Sequence, residues 1–190
     1  PLNGGFIEIG GKDTSDYSLT SFRRALGYVT QESVMYAGTI RDNLLHGLGR
    51  TPSDEELDEA CAAVGILDYV RRQSLGYDAP VGESGASLSG GQRQRFSVAR
   101  ALLKKPDCLL LDEVTAAMDI GGKAGVWASI RQVMAGKTVV YVAHDAQTIR
   151  NADYLIVLRD GQVEATGERE DVMASNSYCR EMMENGEEGR

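Results

Sequence analysis

The sequence has 190 residues, with 20 Lys+Arg against 28 Asp+Glu and a formal net charge of −8. This length allows one sizeable hydrophobic core, or one core with a smaller appended lobe. The acidic balance argues against broad electrostatic binding of nucleic acid, so any phosphate must be held by a local site. No apolar run approaches the roughly 18 residues that a membrane-spanning helix needs, and the N-terminus lacks the basic-then-apolar pattern of a signal peptide.

The three cysteines, Cys61, Cys108 and Cys179, are far apart and lack the spacing of metal ligands. This pattern favours reduced thiols in a cytosolic compartment over a disulfide or a zinc site. The sequence opens without methionine, at Pro1, and passes directly into the strand-like GGFIEIGG. We therefore expect a piece of a longer protein.

The first third of the chain is predicted to alternate between short strands and helices. Alternating apolar and polar residues predict a strand over Gly5–Ile9. A brief helix is predicted over Leu19–Leu26, and a second short strand ends at Gln31. Ser53, followed three residues later by Glu56, is a capping-box signature at the start of an amphipathic helix.

Between these elements and the middle of the chain, the apolar spacing of GTIRDNLLHG predicts a helix at 38–47, and Leu67–Arg72 is predicted to form another turn or two. The connection GYDAPVGESGAS at 76–87 has no apolar period, so we expect a surface loop. The helix GQRQRFSVARALLKK follows and ends before Pro106. Its core-facing residues are expected to be Phe96, Ala99, Leu102 and Leu103.

Three further strands are predicted from runs that are almost wholly apolar, which is typical of strands buried on both faces: Cys108–Leu111, Thr138–Ala143 and Tyr154–Leu158. Helical patterns separate them, over Gly122–Met134 and Asp145–Asn151. This alternation predicts a parallel sheet with helices on its faces. Asp160-Gly161 predicts a hairpin turn, and the tail from Gly167 is expected to form a polar helix or two.

LSGGQRQR at 88–95 has the composition of an anion site at the start of a helix. A helix N-terminus carries partial positive charge and unpaired N–H groups. Ser89 offers a hydroxyl, while Gly90 and Gly91 allow the backbone to approach a ligand closely. An ordinary serine N-cap followed by turn glycines explains the stretch equally well.

Two acids and a histidine follow predicted buried strands, where open α/β sheets tend to bind ligands. Asp112 is placed to hold magnesium, and Glu113 to orient or deprotonate a water molecule. His144 ends the next apolar strand. Acids after a strand are also common as helix caps or in solvated loops, and lone histidines are more often packing or surface residues.

The combination of motifs is more specific than any one of them. Their order and spacing resemble the nucleotide-binding domain of the ATP-binding cassette (ABC) family, exporter type, and the resemblance covers nearly the whole chain: VTQES at 29–33, YAGTIRDNL at 36–44, VGESGASLSGG at 81–91, CLLLDE at 108–113, AAMD at 116–119, VAHD at 142–145 and DGQVEATG at 160–167.

The resemblance implies an α/β fold with a P-loop NTPase-like, mostly parallel sheet, helices on both faces and an inserted helical subdomain. On this mapping the helical subdomain spans about 34–105, residues 1–33 and 106–166 belong to the ATPase core, and 167–190 form a helical tail. The N-terminal part of the fold is expected to be missing from this sequence.

The resemblance also implies two nucleotide sites at the interface of a head-to-tail dimer. Ser89, Gly90, Gly91 and Gln92 would grip the γ-phosphate of an ATP bound mainly by the partner. Asp119 would reach across the dimer. The implied partners are a second nucleotide-binding domain and a transmembrane domain, with the chain at the cytoplasmic face of a membrane and no nucleic acid bound.

Four further residues would serve the ATP bound on this chain's own side. Glu113 would polarise the attacking water, and Asp112 would support Mg²⁺. Gln31 would touch Mg²⁺ and water while sensing the membrane partner. His144 would contact the γ-phosphate. Positioning and charge neutralisation would supply the acceleration.

The phosphate-binding motif G-x-x-x-x-G-K-[ST] does not occur in this sequence. Gly136-Lys137-Thr138 matches its end, but Arg131 stands where the first glycine belongs, and the stretch leads into a strand rather than a helix. We therefore expect this chain alone to bind ATP weakly and hydrolyse it poorly. We also expect strands next to the missing part of the sheet to expose apolar surface and to favour association.

Two other functions stay open on the sequence. One is a cytosolic relative that acts on ribosomes or DNA, against which the acidic charge and the exporter-like stretches weigh. The other is a non-catalytic module that keeps the signature face for a complete partner, against which Glu113 and His144 weigh.

Overall fold

The computed structural model describes residues 4–114, 120–143 and 145–188. The chain divides into two compact units, with the boundary between Tyr141 and Val142. The predicted helical subdomain of 34–105 lies inside the first unit and stays a prediction.

The strands as far as the boundary are mostly short: β1 (Glu8–Ile9), β2 (Lys12–Asp13), β3 (Leu26–Val29), β4 (Gly38–Thr39), β5 (Pro80–Val81), β6 (Cys108–Asp112) and β7 (Thr138–Val142). The helices of the same part are α1 (Leu19–Ala25), α2 (Ile40–Leu45), α3 (Asp54–Ala63), α4 (Leu67–Arg72), α5 (Gly90–Leu103) and α6 (Ile120–Val133). The second unit contains α7 (Ala146–Arg150), β8 (Tyr154–Arg159), β9 (Gln162–Glu168), α8 (Arg169–Ser175) and α9 (Ser177–Glu188).

The central sheet has the strand order β3-β6-β7. β3 and β6 are parallel, with Val29 opposite Leu111, in agreement with the predicted parallel sheet, although no partner was predicted for β3. Leu109 and Leu111 on β6 are buried in the core of the first unit. The predicted apolar face of α5, which includes Phe96 and Leu102, is buried in the same core.

Two of the predicted fully buried strands are buried on one face only. Along β7, Val139 and Tyr141 pack against the core, whereas Val140 is 53% exposed. Along β8, Val157 is buried but Ile156 is 62% exposed. A run of apolar residues does not distinguish a covered face from an open one, because both faces then carry the same kind of side chain.

β8 was also predicted to continue the parallel sheet, and this was wrong. It pairs antiparallel with β9 in a separate two-stranded sheet. Asp160 and Gly161, with φ of 49° and 76°, form the tight turn between them, as predicted. Val157 packs with Val172 and Cys179 in the small core of the second unit.

The stretch 76–87 is more structured than the predicted surface loop. β5 lies within it and pairs antiparallel with β4, and short 3₁₀ turns span Gly76–Asp78 and Glu83–Gly85. Val81 is buried. A two-residue strand is too short to leave a period in the sequence.

At the N-terminus, the strand predicted over Gly5–Ile9 is limited to β1, which forms a small antiparallel hairpin with β2. The predicted helix at 19–26 is α1, capped by the side chain of Ser18. The capping box of Ser53 and Glu56 is present at the start of α3. The two tail helices predicted after Gly167 are α8 and α9.

Cys61, Cys108 and Cys179 are free thiols. Burial raises the pKa of Cys61 to about 11. In the described ranges, no helix combines the length and the hydropathy of a membrane span.

Candidate functional site

The ends of β3 and β6 bring two of the predicted site residues together. The amide Nε2 of Gln31 donates a hydrogen bond to Oε2 of Glu113 at 2.8 Å. Gln31 comes two residues after Val29, and Glu113 two residues after Leu111, which are paired across the strands. The contact therefore follows from the register of the sheet.

Asp112 and Glu113 lie at the carboxyl end of β6, the edge at which α/β sheets tend to bind ligands. Both side chains are half-buried. Glu113 has a φ of 49°, in the left-handed region that residues other than glycine seldom adopt. Such backbone conformations concentrate at functional sites.

The start of α5 is an N-cap, as one of the two interpretations of LSGGQRQR predicted. The hydroxyl of Ser89 accepts from the backbone N–H of Gln92 at 3.2 Å, and Oε1 of Gln92 accepts from the N–H of Ser89 at 2.8 Å. This reciprocal capping box fixes the first turn of α5. Gly90 and Gly91 begin the helix, where backbone N–H groups have no acceptor within the helix.

A cleft of about 650 Å³ opens beside this first turn. Ser89, Gly90, Gly91 and Gln92 line one side. Tyr69, Arg72, Arg95 and the acid Asp68 belong to the lining as well, so two guanidinium groups and one carboxylate surround the helix N-terminus. Capping by Ser89 is compatible with anion binding. The cap uses the hydroxyl oxygen of Ser89 as an acceptor, so the hydroxyl proton can still donate to an anion.

The segment that follows Gln31 is attached to two helices. Asn43 of α2 is 3% exposed and forms hydrogen bonds to both backbone polar groups of Tyr36. Its Oδ1 accepts from the Tyr36 N–H at 2.8 Å, and its Nδ2 donates to the Tyr36 carbonyl at 2.9 Å. Arg100 of α5 donates to the carbonyl of Val34 at 3.2 Å. Burial lowers the pKa of Arg100 from its ordinary value.

The family model described as ABC transporter matches residues 1–116 of this chain. This chain belongs to the ABC transporter family. The parallel α/β sheet and the order of the motifs agree with an exporter-type nucleotide-binding domain.

Several relatives are full-length ABC proteins, of which this chain matches one part. "Multidrug resistance protein 1" of Entamoeba histolytica is 40% identical over 173 residues, which is 90% of this chain and 13% of the relative. "ATP-dependent lipid A-core flippase" of Syntrophus aciditrophicus is 40% identical over 173 residues, 91% of this chain and 29% of the relative. The chain thus spans less than a third of the length of these relatives.

A solved structure titled "Structure of a bacterial Atm1-family ABC exporter with ATP bound" matches this chain with a TM-score of 0.89 and 36% sequence identity. The match covers 96% of this chain and 32% of the exporter chain. At this identity and similarity, the fold of the ABC exporter domain extends over nearly all of the sequence.

Two of the residues that the ABC resemblance selected, Asp119 and His144, lie outside the described residues. The described part of the chain contains no group of three or more His, Cys, Asp or Glu side chains close enough together to hold a metal ion by themselves. The carboxylate of Asp112 and the amide oxygen of Gln31 still fit this ion, because Mg²⁺ takes oxygen ligands and commonly keeps one or two protein ligands beside waters and phosphate.

Sequence reasoning did not select Asn43, Tyr69 or Arg72. Asn43 had a signal, since it lies three residues after Ile40 and one before Leu44, on the apolar stripe of α2. Its burial and its three hydrogen bonds to backbone carbonyl and N–H groups follow from that position. No sequence signal pointed to Tyr69 or Arg72, because they come to line the same cleft as Ser89 only through the tertiary fold.

Proposed function

We propose that this chain is part of the ATP-hydrolysing domain of an ABC exporter and that ATP-driven association of two such domains powers transport across a membrane. The observation that carries the proposal is the pairing of Gln31 with Glu113 at the ligand-binding edge of the sheet. The names of similar proteins support the proposal, because they describe a multidrug resistance protein, a flippase and an ATP-bound exporter.

Glu113 is the general base of this proposal. Its carboxylate accepts a proton from the water that attacks the γ-phosphate of ATP, and Gln31 holds one of its oxygens. Asp112 and the amide oxygen of Gln31 would hold Mg²⁺, which neutralises the charge that develops on the phosphates. His144 contacts the γ-phosphate.

The first turn of α5 serves the nucleotide of the opposite domain. The capping box orients Ser89, and the N–H groups of Gly90 and Gly91 present partial positive charge to an incoming phosphate. Asp119 reaches across the same interface. The cleft beside α5 gives the triphosphate room to approach.

The partners in this proposal are a second nucleotide-binding domain and a transmembrane domain, and the chain acts at the cytoplasmic face of the membrane. Val34 and Tyr36 are exposed and follow Gln31 closely in the chain. They are the surface through which we propose that the transmembrane partner reaches Gln31.

The test is an ATPase assay on a protein extended upstream to include a phosphate-binding loop. Replacing Glu113 with Gln is expected to lower turnover by roughly 10²–10⁴-fold, the usual contribution of a general base. Glu59→Gln is the matched control, since Glu59 is an exposed acid on α3. Equal losses from both variants, or none from Glu113→Gln, would refute the proposal.

The chain of 190 residues by itself is proposed to bind ATP weakly and to hydrolyse it poorly. Its sequence lacks the lysine and hydroxyl that grip the β- and γ-phosphates in P-loop enzymes. Turnover by this chain equal to that of the extended protein would contradict this part of the proposal.

A further inference from the structure

Two arginines, Arg93 and Arg95, lie near the start of α5 in the stretch LSGGQRQR. Successive residues of a helix are about 100° apart around its axis, so side chains two positions apart leave it on nearly opposite sides. The proposed phosphate contacts of this stretch use Ser89, Gly90 and Gly91 and give neither arginine a function. Both guanidinium groups donate to backbone carbonyls, one on each side of the helix.

Arg93 holds the connection that leads into α5. Its Nη1 donates at 2.7 Å to the carbonyl of Leu88, the residue before the N-cap. A Cβ atom on Gly85 would lie 3.0 Å from Cδ of Arg93, so the aliphatic part of the side chain lies against this glycine. The N–H of Leu88 donates to the carbonyl of Gly85 at 2.9 Å. Arg93 therefore restrains the turn from which the chain enters α5.

Arg95 connects the start of α5 to the end of α3. Its Nη1 donates at 2.7 Å to the carbonyl of Val64, which is the C-cap of α3 and fully buried. The last carbonyl groups of a helix have no partner within it and carry partial negative charge, so a guanidinium is a favourable donor there. This bond joins residues 31 positions apart in the sequence.

Gly65 leaves room for the contact between Arg95 and Val64. α3 ends in a Schellman motif, in which the N–H of Ile66 donates to the carbonyl of Cys61 at 2.9 Å. This motif places Gly65 in the left-handed region, with a φ of 67°. A Cβ atom on Gly65 would lie 2.7 Å from Nη1 of Arg95. A side chain at this position would therefore displace the guanidinium.

We propose that Arg93 and Arg95 are positioning residues for the first turn of α5, which they hold from opposite sides through the carbonyls of Leu88 and Val64. The N–H groups of this turn then meet an incoming phosphate from a fixed position, and small displacements of such groups are costly. The value of this position for ATP rests on the function proposed for Ser89, whereas the two bonds do not depend on it.

The first experiment measures backbone hydrogen exchange in the chain of 190 residues without nucleotide. The N–H groups of Gln92 and Arg93 close the first turn by donating to Ser89. Arg93→Met and Arg95→Met are each expected to lower the protection of these groups by about tenfold, because each removes a hydrogen bond from a charged donor. Arg24→Met changes an exposed arginine on α1 and is the control.

Lysine at either position keeps a charged donor and is expected to recover most of the protection. Unchanged protection in both methionine variants would overturn the proposal.

The second experiment displaces the guanidinium of Arg95 without changing its charge. Gly65→Ala is expected to lower the protection of the first turn of α5. Gly49→Ala is the matched control, because Gly49 has a φ of 70° and a Cβ atom there meets nothing within 4 Å. Both variants strain the backbone similarly, and only Gly65→Ala disturbs Arg95.

Gly65→Ala combined with Arg95→Met is expected to lower protection little further than Arg95→Met alone, because the two changes remove the same bond. Equal losses from Gly65→Ala and Gly49→Ala, or additive losses in the double variant, would overturn the role of Arg95.

The third experiment uses the protein extended upstream to include a phosphate-binding loop. Arg93→Met and Arg95→Met are expected to raise the ATP concentration for half-maximal association by about tenfold, and to lower turnover at saturating ATP by less. The increase is expected to be the same at low and high salt, since neither bond is a contact with phosphate. Direct attraction of phosphate by the two charges would weaken as salt is added. An increase that disappears at high salt would therefore overturn the positioning role.

The first two experiments contain no ATP, so they separate this proposal from the proposed function. Loss of protection in the variants, with no ATP-driven association of the extended protein, would refute the function and support the positioning of the turn. Full protection in the variants, with association that still depends on Ser89, would refute the positioning and leave the function standing.

Discussion

Gly27 lies opposite Leu109 in the parallel pairing of β3 with β6, and a Cβ atom on Gly27 would lie 2.8 Å from Cδ1 of Leu109. The same atom would lie 3.0 Å from Cγ of Pro106. Both neighbours are packed in the core. We expect Gly27→Ala to destabilise the first unit by about 1–3 kcal/mol, the usual cost of overpacking. Urea unfolding followed by circular dichroism measures this change.

Gly125 provides the matched control for that substitution. It lies within α6, and a Cβ atom there meets nothing within 4 Å. Gly125→Ala is therefore expected to stabilise the helix by about 0.5–1 kcal/mol, since alanine loses less conformational entropy than glycine. A loss of stability in Gly125→Ala as large as that in Gly27→Ala would contradict the packing argument.

Ser89 caps α5 and is also proposed to contact a phosphate. Two substitutions distinguish the effect of losing the cap from the effect of losing the phosphate contact. Ser89→Ala removes the cap of α5 and is expected to cost about 1 kcal/mol. Ser89→Asp keeps the cap, because aspartate is as good an N-cap residue as serine. It also places negative charge where the γ-phosphate would bind, so we expect ATP-driven association of the extended protein to be lost.

The control for the cap is Ser53→Ala, which removes the equivalent capping box of α3. It is expected to cost a similar free energy of unfolding and to leave ATP-driven association unchanged. Association is measured by light scattering with and without ATP. An association constant for Ser89→Asp equal to that of the original protein would argue against the phosphate contact.

Local patterns predicted most of the helices and the motif positions. The start of α3 was readable because Ser53 and Glu56 satisfy the same backbone groups in any context. A parallel sheet was predictable from the alternation of apolar strands and helices after Cys108, but the pairing of β3 with β6 was not predicted. The register that brings Gln31 to Glu113 was not predictable, because it is decided by packing between segments 82 residues apart in the sequence.

The errors in strand burial have one physical cause, which is that burial depends on what covers a strand. Val139 and Val140 are identical residues in adjacent positions, and only the first packs against the core. The pairing of β8 with β9 is decided by the turn at Asp160-Gly161, which favours an antiparallel hairpin over the continuation of a parallel sheet.

Glu56 predicts a dependence of stability on acid. Its carboxylate accepts from Arg50 at 2.7 Å and from Lys105 at 2.5 Å, and these two cations lower its pKa from the ordinary 4.5 to about 2. Because the pKa is lowered on folding, the stabilisation is present above about pH 4.5 and is lost as the pH falls towards 2.

Glu56→Gln is therefore expected to be less stable than the original chain at pH 6 and to lose less stability between pH 4.5 and pH 2.5. The urea midpoint at several pH values measures both effects. Glu59→Gln is the control on the same helix, with its acid exposed. Parallel pH curves for the original chain and Glu56→Gln would show that the ion pairs contribute nothing measurable.

The open face of the central sheet predicts self-association of the chain. Tyr28 of β3 is 57% exposed and Val140 of β7 is 53% exposed, and β7 ends the described sheet at one edge. Exposed apolar residues beside an open strand edge favour pairing with another chain. We expect the chain to form oligomers at high concentration, which sedimentation velocity measures.

Val140→Lys is expected to shift the chain towards the monomer, because a charged lysine on an edge strand opposes pairing. Val133→Lys on α6 changes a valine of similar exposure, 46%, away from the edge and is expected to have little effect. A compact monomer at all concentrations would contradict the prediction.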